Sequence, residues 1–463
     1  MPAPDAEPAA PAARMWNRTR LCLALFLLSF AVFAARVRNG GTGDTIPAQL
    51  LPISILLEGN LDFNEFVCPT DPATNRAIDY AADRCTAPLN YYFEVANGRV
   101  VSRYPIIPGI MNLPLHAVGY VLRLDVVWLR SEISVLTSAL VSAGSVVLMF
   151  LLLEALGCAT GTALLGALVY AFGTVAWSVN GHGLWQHGPS LLLLNGALLL
   201  LARGGAADGA DDGTSSRGVP WAGLLLGFSV FNRPTNIMLA VPLAVYVAVH
   251  HRHSLLRFCL LAAIPAALML LYSHVVLGSV VTLGQGQTMR FSAQPWVGLA
   301  GLLFSPARGL FVFSPILLLA LLQLRPVLTG APRNALPPHP LARYLTVATI
   351  GLIALYACWP LWWGGVTFGY RLVGEALPAF IVLLAFAWES TIRASRPWKG
   401  VAAVLLLLSV WFNFLGAQVA PCGFDTSPDS IDYHPERLWQ VRGTELLRCT
   451  RMAGASLGIT LGE

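Results

Sequence analysis

The side chains with chemical potential lie in a few short polar motifs set between long apolar runs. Asp44 stands in Gly43-Asp44-Thr45, directly after a glycine-rich turn over 39–43. Ile46, Leu50, Leu51, Ile53, Ile55 and Leu57 follow it, and Glu58 closes the run. That pattern reads as an interfacial helix that would hold Asp44 at headgroup level, with Glu58 a further substrate-binding candidate. A carboxylate so placed can act as general base toward a hydroxyl. It can equally be a helix N-cap, since Asp is a preferred cap and an amphipathic run follows.

The basic and aromatic candidates sort in the same way. Arg103 and Tyr104 open an Arg-Tyr-Pro motif, and a guanidinium grips phosphate bidentately. The alternative is a plain interfacial Arg-Tyr anchor. His182 and His187 flank Trp185, suited either to hydrogen bonding a sugar or phosphate or to simple packing. No carboxylate stands beside them to complete a metal set, so no cofactor is expected, with a divalent metal the less favoured alternative. Arg308, in Ser305-Pro306-Ala307-Arg308-Gly309, and Arg371, after Tyr370, stand at the ends of apolar runs, where charge is a functional signal by default. Both suit a donor phosphate, with Tyr370 beside them. The plain alternative for Arg371 is an intrahelical ion pair with Glu375. The tryptophans of Trp359 to Trp363 form an aromatic belt first and a sugar-stacking platform second.

The elements that must position these residues are membrane helices. The 463 residues are 56% hydrophobic and 11% charged, against about 25% charged in a soluble domain. The net charge is +5, and Lys399 is the only lysine among 29 basic side chains. This usage, with abundant Ala and Gly, points to a bacterial source. The basic residues sit in short clusters between apolar runs and report membrane topology, not nucleic-acid binding.

About 20 apolar residues cross a bilayer, and the segments 17–35, 132–155, 160–178, 188–203, 219–232, 236–250, 255–277, 307–324, 342–360, 372–390 and 400–418 qualify. Residues 1–16 form a disordered cytoplasmic N-terminus, and 17–35 is either a retained signal anchor or a cleaved signal peptide. The stretch 106–124, broken by Pro108 and Pro114, decides the parity. If it spans, the clusters at Arg252 and Arg257, at Arg325, Arg333 and Arg343, and at Arg393, Arg396 and Lys399 all fall outside. If it stays at the membrane edge, all are cytoplasmic, as the positive-inside rule prefers.

The expectation is an all-α polytopic protein with about 11 spans over 17–418. It has a large first outer loop at 36–131 carrying interfacial helices, a cytoplasmic N-terminus, and a short outer tail at 419–463. Cys68 with Cys85, and Cys422 with Cys449, then share the oxidising side and can form two disulfides. Cys22, Cys158, Cys259 and Cys358 lie in or beside spans and read as packing. The polar motifs also share that outer side.

Taken together, the first span, Gly43-Asp44 opening a large outer loop, Arg103-Tyr104-Pro105 before a Pro-rich membrane-edge segment, and alternating spans with polar outer turns resemble the GT-C superfamily of membrane glycosyltransferases. That superfamily includes protein O-mannosyltransferases, the lipid A aminoarabinose transferase and oligosaccharyltransferase subunits. Phe304 to Pro315 and Trp362 to Pro378 look similar to bacterial membrane proteins grouped with it. The resemblance implies that Asp44 is the catalytic acidic residue. The implied reaction moves a sugar from polyprenyl phosphate to a hydroxyl of a glycan, lipid or protein, with inversion, on the outer face of a bacterial cytoplasmic membrane. Arg103, Arg308 or Arg371, with Tyr104 or Tyr370, would neutralise the leaving phosphate, and the loop 278–305 would close over the donor. One departure stands out. The oligosaccharyltransferases carry a second acidic motif in the second outer loop, whereas 178–188 here holds only histidines. A flippase of a lipid-linked sugar, or a non-catalytic relative, is the competing reading.

Overall fold

The computed structural model describes residues 11–35, 43–67, 91–205, 215–279, 291–292, 294–331 and 339–456. Among them the chain is helical apart from one hairpin. In chain order the helices are α1 (Pro11–Ala34), α2 (Ile46–Leu57), α3 (Ile107–Val121), α4 (Arg130–Ala155), α5 (Thr160–Phe172) and α6 (His187–Gly205). There follow α7 (Val219–Asn232), α8 (Ile237–His250), α9 (Leu255–Leu277), α10 (Pro295–Phe304), α11 (Leu310–Phe313) and α12 (Leu324–Thr329). The last four are α13 (Pro340–Ala357), α14 (Leu377–Ala387), α15 (Arg396–Phe414) and α16 (Glu445–Ser456). A 3-10 helix, Pro315–Gln323, joins α11 to α12.

All eleven apolar segments read from the sequence are helical. Six stretches, Asn17–Ala34, Arg130–Ala155, Arg252–Leu277, Pro340–Ala357, Arg371–Ile392 and Arg396–Val419, are long and apolar enough to cross a membrane. The buried core runs through α4, α5, α6 and α14, where Phe150, Leu153, Tyr170, Leu194 and Ile381 are sealed from solvent. Helices approach closely where side chains vanish: a Cβ on Gly166 would sit 2.5 Å from the Leu153 side chain.

The region after α1 builds the floor of the site. Helix α2 forms where expected, but protein covers it, with Pro47–Ser54 buried beneath α3 and α4. The Pro-interrupted segment becomes α3. Its Asn112 donates to the Ala48 carbonyl at 3.0 Å and accepts from Thr137 at 2.7 Å, tying α2, α3 and α4 together. The Asn112 amide of this Pro-broken segment is thus satisfied by protein.

Two short strands, β1 (Phe93–Ala96) and β2 (Arg99–Ser102), form an antiparallel hairpin. Its turn is Asn97-Gly98, both with positive φ, 52° and 72°. Asn-Gly is the preferred pair for a two-residue turn whose twist matches the strands. The turn fixes the register at Phe93 opposite Ser102, and the Arg103 amide continues it by donating to the Tyr92 carbonyl at 3.0 Å. One step further along the same register, Tyr91 stands opposite Tyr104.

A candidate active site around Asp44

That register matters because both phenols converge on one oxygen. Tyr91 donates to Asp44 Oδ1 at 2.8 Å and Tyr104 donates to the same atom at 2.7 Å. Arg371 takes the other oxygen, Nη1 to Oδ2 at 2.8 Å. Both oxygens of Asp44 therefore belong to side chains, while the N-cap of α2 is Thr45, with no side-chain cap bond. The carboxylate is part of a polar cluster and is not the helix cap the sequence also allowed. Burial and the adjacent Asp44 charge push the Tyr91 and Tyr104 hydroxyls above their ordinary value, so both stay protonated donors.

Arg371 is held from three directions. Its guanidinium lies over the Trp185 ring, 4.2 Å from the centroid, and Nη2 donates to the Gly364 carbonyl at 2.7 Å. Gly364 and Gly365 both have positive φ, 78° and 73°, a turn open to glycine without penalty. Arg371 Nε is buried and has no hydrogen-bond partner among the described residues. The alternative intrahelical pair with Glu375 is not formed, because the short 3-10 segment Arg371–Ala376 is kinked at Val373, whose φ of −100° and ψ of 22° are not helical. The i,i+4 facing of a continuous α-helix is therefore lost. Arg371 reaches Asp44 and Glu375 enters the core.

Glu375, fully buried, meets residues from two other helices. Arg233, just past α7, donates to its Oε2 at 2.5 Å, and Nδ1 of His187, at the start of α6, lies 3.0 Å from its Oε1. His187 is therefore a partner of Glu375 inside the fold, not the substrate contact its position suggested. His182 is buried in the turn between Asn180 and Trp185. That turn touches the Asp44 region, since a Cβ on Gly183 would lie 3.6 Å from the Thr45 methyl. Among the described residues, no group of three or more His, Cys, Asp or Glu is gathered as a metal set.

At sequence identities too low to carry residue roles across, overall shape still compares. No family model matches the chain, and no curated protein matches it. Among solved structures, the chain is similar to ArnT from Cupriavidus metallidurans bound to undecaprenyl phosphate. The identity is 14% over 97% of this chain and 72% of that chain, with a TM-score of 0.53. The apo state of the same ArnT matches at 16% identity over 96% and 76%, with a TM-score of 0.50. The chain therefore shares the overall fold of that ArnT. With its apolar helices, this makes the chain a multi-pass membrane protein.

The remaining candidates make their contacts away from Asp44. Arg308 is 1% exposed, and its charge is already matched inside the protein. It pairs with Asp425 and donates to Glu445 at 2.8 Å and to the Ala307 carbonyl at 2.8 Å. This corrects the expected phosphate contact: Arg308 anchors the C-terminal segment. Burial outweighs the Arg308 charge and pushes Glu445 up to about 8, with Asp425 also raised. Tyr370 is likewise internal, bonding Ser314 Oγ at 2.7 Å and accepting from the Val175 amide at 3.4 Å. Arg103 lies 3.5 Å from Glu94 across the hairpin. Glu58 caps the far end of α2, roughly 18 Å along the axis from Asp44 at 1.5 Å per residue.

Cys422 and Cys449 form the expected disulfide, whereas Cys68 and Cys85 lie outside the described residues, as do 280–290 and 293 of the loop 278–305, whose later part is α10. The tail between those cysteines packs on the loop carrying Arg371. Asp432 accepts from Trp363 Nε1 at 2.8 Å, and the Trp439 ring leans against Trp362 at a tilt of 53°, with centroids 5.8 Å apart.

The sequence reading passed over Tyr91, Arg233, Asp425 and Glu445. Tyr91 was accessible through the Asn97-Gly98 turn signal, which sets the hairpin register. Arg233 was a lone charge in a very short turn between two apolar helices, on the side where Asp44 falls.

Proposed function

We propose that this protein is a glycosyltransferase that moves a sugar from a polyprenyl-phosphate donor to an acceptor hydroxyl, with inversion at the anomeric carbon. The observation that carries this reading is the Asp44–Arg371 pair on the Trp185 platform, with a buried, unpartnered Nε on the same arginine. The GT-C fold, and the undecaprenyl phosphate bound to the ArnT of similar shape, support a lipid-phosphate donor.

In the proposed step Asp44 takes the proton of the acceptor hydroxyl as its oxygen attacks the anomeric carbon. The bond from that carbon to the phosphate oxygen breaks, and polyprenyl phosphate leaves with the electron pair. Arg371, supplying Nε and a guanidinium already oriented by Trp185 and Gly364, stabilises the charge that develops on the phosphate. Tyr104 and Tyr91, kept protonated, orient Asp44 and can turn their donors to the leaving oxygen.

We place this face outside the cytoplasm of a bacterial inner membrane, with the N-terminus inside. The Cys422–Cys449 disulfide on the tail that covers the Arg371 loop supports that side. The test is purified protein with a labelled polyprenyl-phosphate sugar and a hydroxyl acceptor. Release of polyprenyl phosphate with an inverted glycoside bears the proposal out. Movement of the labelled lipid across vesicles without release would replace it with a flippase.

A further inference from the structure

We infer that Arg233 is a positioning residue that keeps Arg371 on Asp44 by occupying Glu375. The inference rests on the proposed function, because it explains how the Asp44 site is kept assembled.

Two carboxylates and two guanidiniums stand close together here. Asp44 pairs with Arg371 at 2.8 Å, and Glu375 pairs with Arg233 at 2.5 Å. Arg371 and Glu375 stand four residues apart on one short segment kinked at Val373, so a modest change in that kink would bring them together. The two carboxylates differ in need. The Asp44 side chain keeps 15% exposure and two phenol donors, whereas Glu375 has none of its surface in contact with solvent. A buried, unpaired carboxylate is far costlier than a partly hydrated one. Without Arg233, the more deeply buried acid would win the competition for Arg371.

Arg233 is built for this role. Its Nη2 donates to the Leu372 carbonyl at 3.3 Å, so it grips both the backbone of the 3-10 helix and the side chain that helix sends inward. Its guanidinium lies over the Tyr356 ring at 5.1 Å, and Tyr356 is fixed by a 2.7 Å hydrogen bond with Thr235. His187 completes the Glu375 shell from α6, two residues after Trp185, the ring that carries Arg371. The network therefore sets both the guanidinium and the platform beneath it, while no member of it bonds Asp44.

The experiment uses the full-length protein in nanodiscs and three variants. Arg233→Gln leaves Glu375 with the His187 contact alone and no guanidinium; its structure should show Arg371 bonded to Glu375, and its kcat should fall about 100-fold, the scale of a misplaced catalytic group. The double variant Arg233→Gln/Glu375→Gln carries no unpaired buried charge, so Arg371 should return to Asp44 and kcat should recover to within about tenfold of wild type. Arg233→Lys, which keeps the charge, should stay nearer wild type than Arg233→Gln. Arg371 still on Asp44 in Arg233→Gln overturns the inference. So does a folded double variant as impaired as the single, which also decides the matter if Arg233→Gln fails to fold. The position of Arg371 is read from structure alone. A wild type with no transferase activity therefore sinks the proposed reaction and leaves the positioning claim to be judged separately.

Discussion

Replacing Arg371 with lysine keeps the positive charge and removes the fork. In the wild type one guanidinium nitrogen bonds Asp44 at 2.8 Å, a second bonds the Gly364 carbonyl at 2.7 Å, and the plane lies 4.2 Å from the Trp185 centroid. A single ammonium cannot hold all three. Even if it retains the Asp44 contact, the Arg371→Lys variant would forfeit a charge-assisted hydrogen bond of about 1.5–3 kcal/mol and most of a partly desolvated cation–π contact of about 0.5–1 kcal/mol. The sum, about 2–4 kcal/mol, corresponds to roughly 30- to 1000-fold in rate if the geometry is needed in the transition state. The assay is steady-state release of polyprenyl phosphate, with thermal unfolding in detergent to confirm folding. Turnover by Arg371→Lys within about threefold of wild type, under about 1 kcal/mol, would refute the claim that the fork orients the site.

Other perturbations follow from the same geometry. Tyr104→Phe removes the 2.7 Å donor to Asp44 Oδ1 and should lower turnover about tenfold, the worth of one hydrogen bond to a charged group. Removal of the Cys422–Cys449 bridge, which closes 27 residues, should destabilise the tail by about 3.5 kcal/mol on chain-entropy grounds, read as a lower Tm in Cys422→Ser/Cys449→Ser. Glu445 carries a pKa raised from 4.5 to about 8 in the folded protein, and Asp425 is raised as well. A raised acid binds more protons folded than unfolded, so its stabilisation is complete below about 4.5 and is lost as pH climbs through about 8. Tm should therefore fall between about pH 5 and about pH 8, and Glu445→Gln should flatten that slope.

What the sequence revealed were features that depend on local pattern. Apolar run length located every one of the long apolar helices, because a bilayer-length stretch of Leu, Val and Ala needs no distant partner to be recognised. The Asp44 neighbourhood and the Cys422–Cys449 pair were legible for a related reason: topology sorted them to one side. Partner choice was the part hidden from view. Arg308 and its two acids are separated by 117 and 137 residues, and no periodicity reports such a meeting. Arg371 and Glu375 misled through proximity, since the i,i+4 rule presumes continuous α-helical winding and the chain there is a 3-10 segment kinked at Val373. Tyr91 lay within reach of pattern reasoning, because an Asn-Gly turn fixes which residues face each other across a hairpin.

The most direct test of the central claim is Asp44→Asn. The amide keeps the shape of the carboxylate and can still accept from Tyr91 and Tyr104, but it cannot take a proton. With labelled polyprenyl-phosphate sugar and acceptor, the variant should retain donor binding and folding while release of polyprenyl phosphate falls about 10²–10⁴-fold, the usual contribution of a general base. Release at the wild-type rate by folded Asp44→Asn would contradict the account.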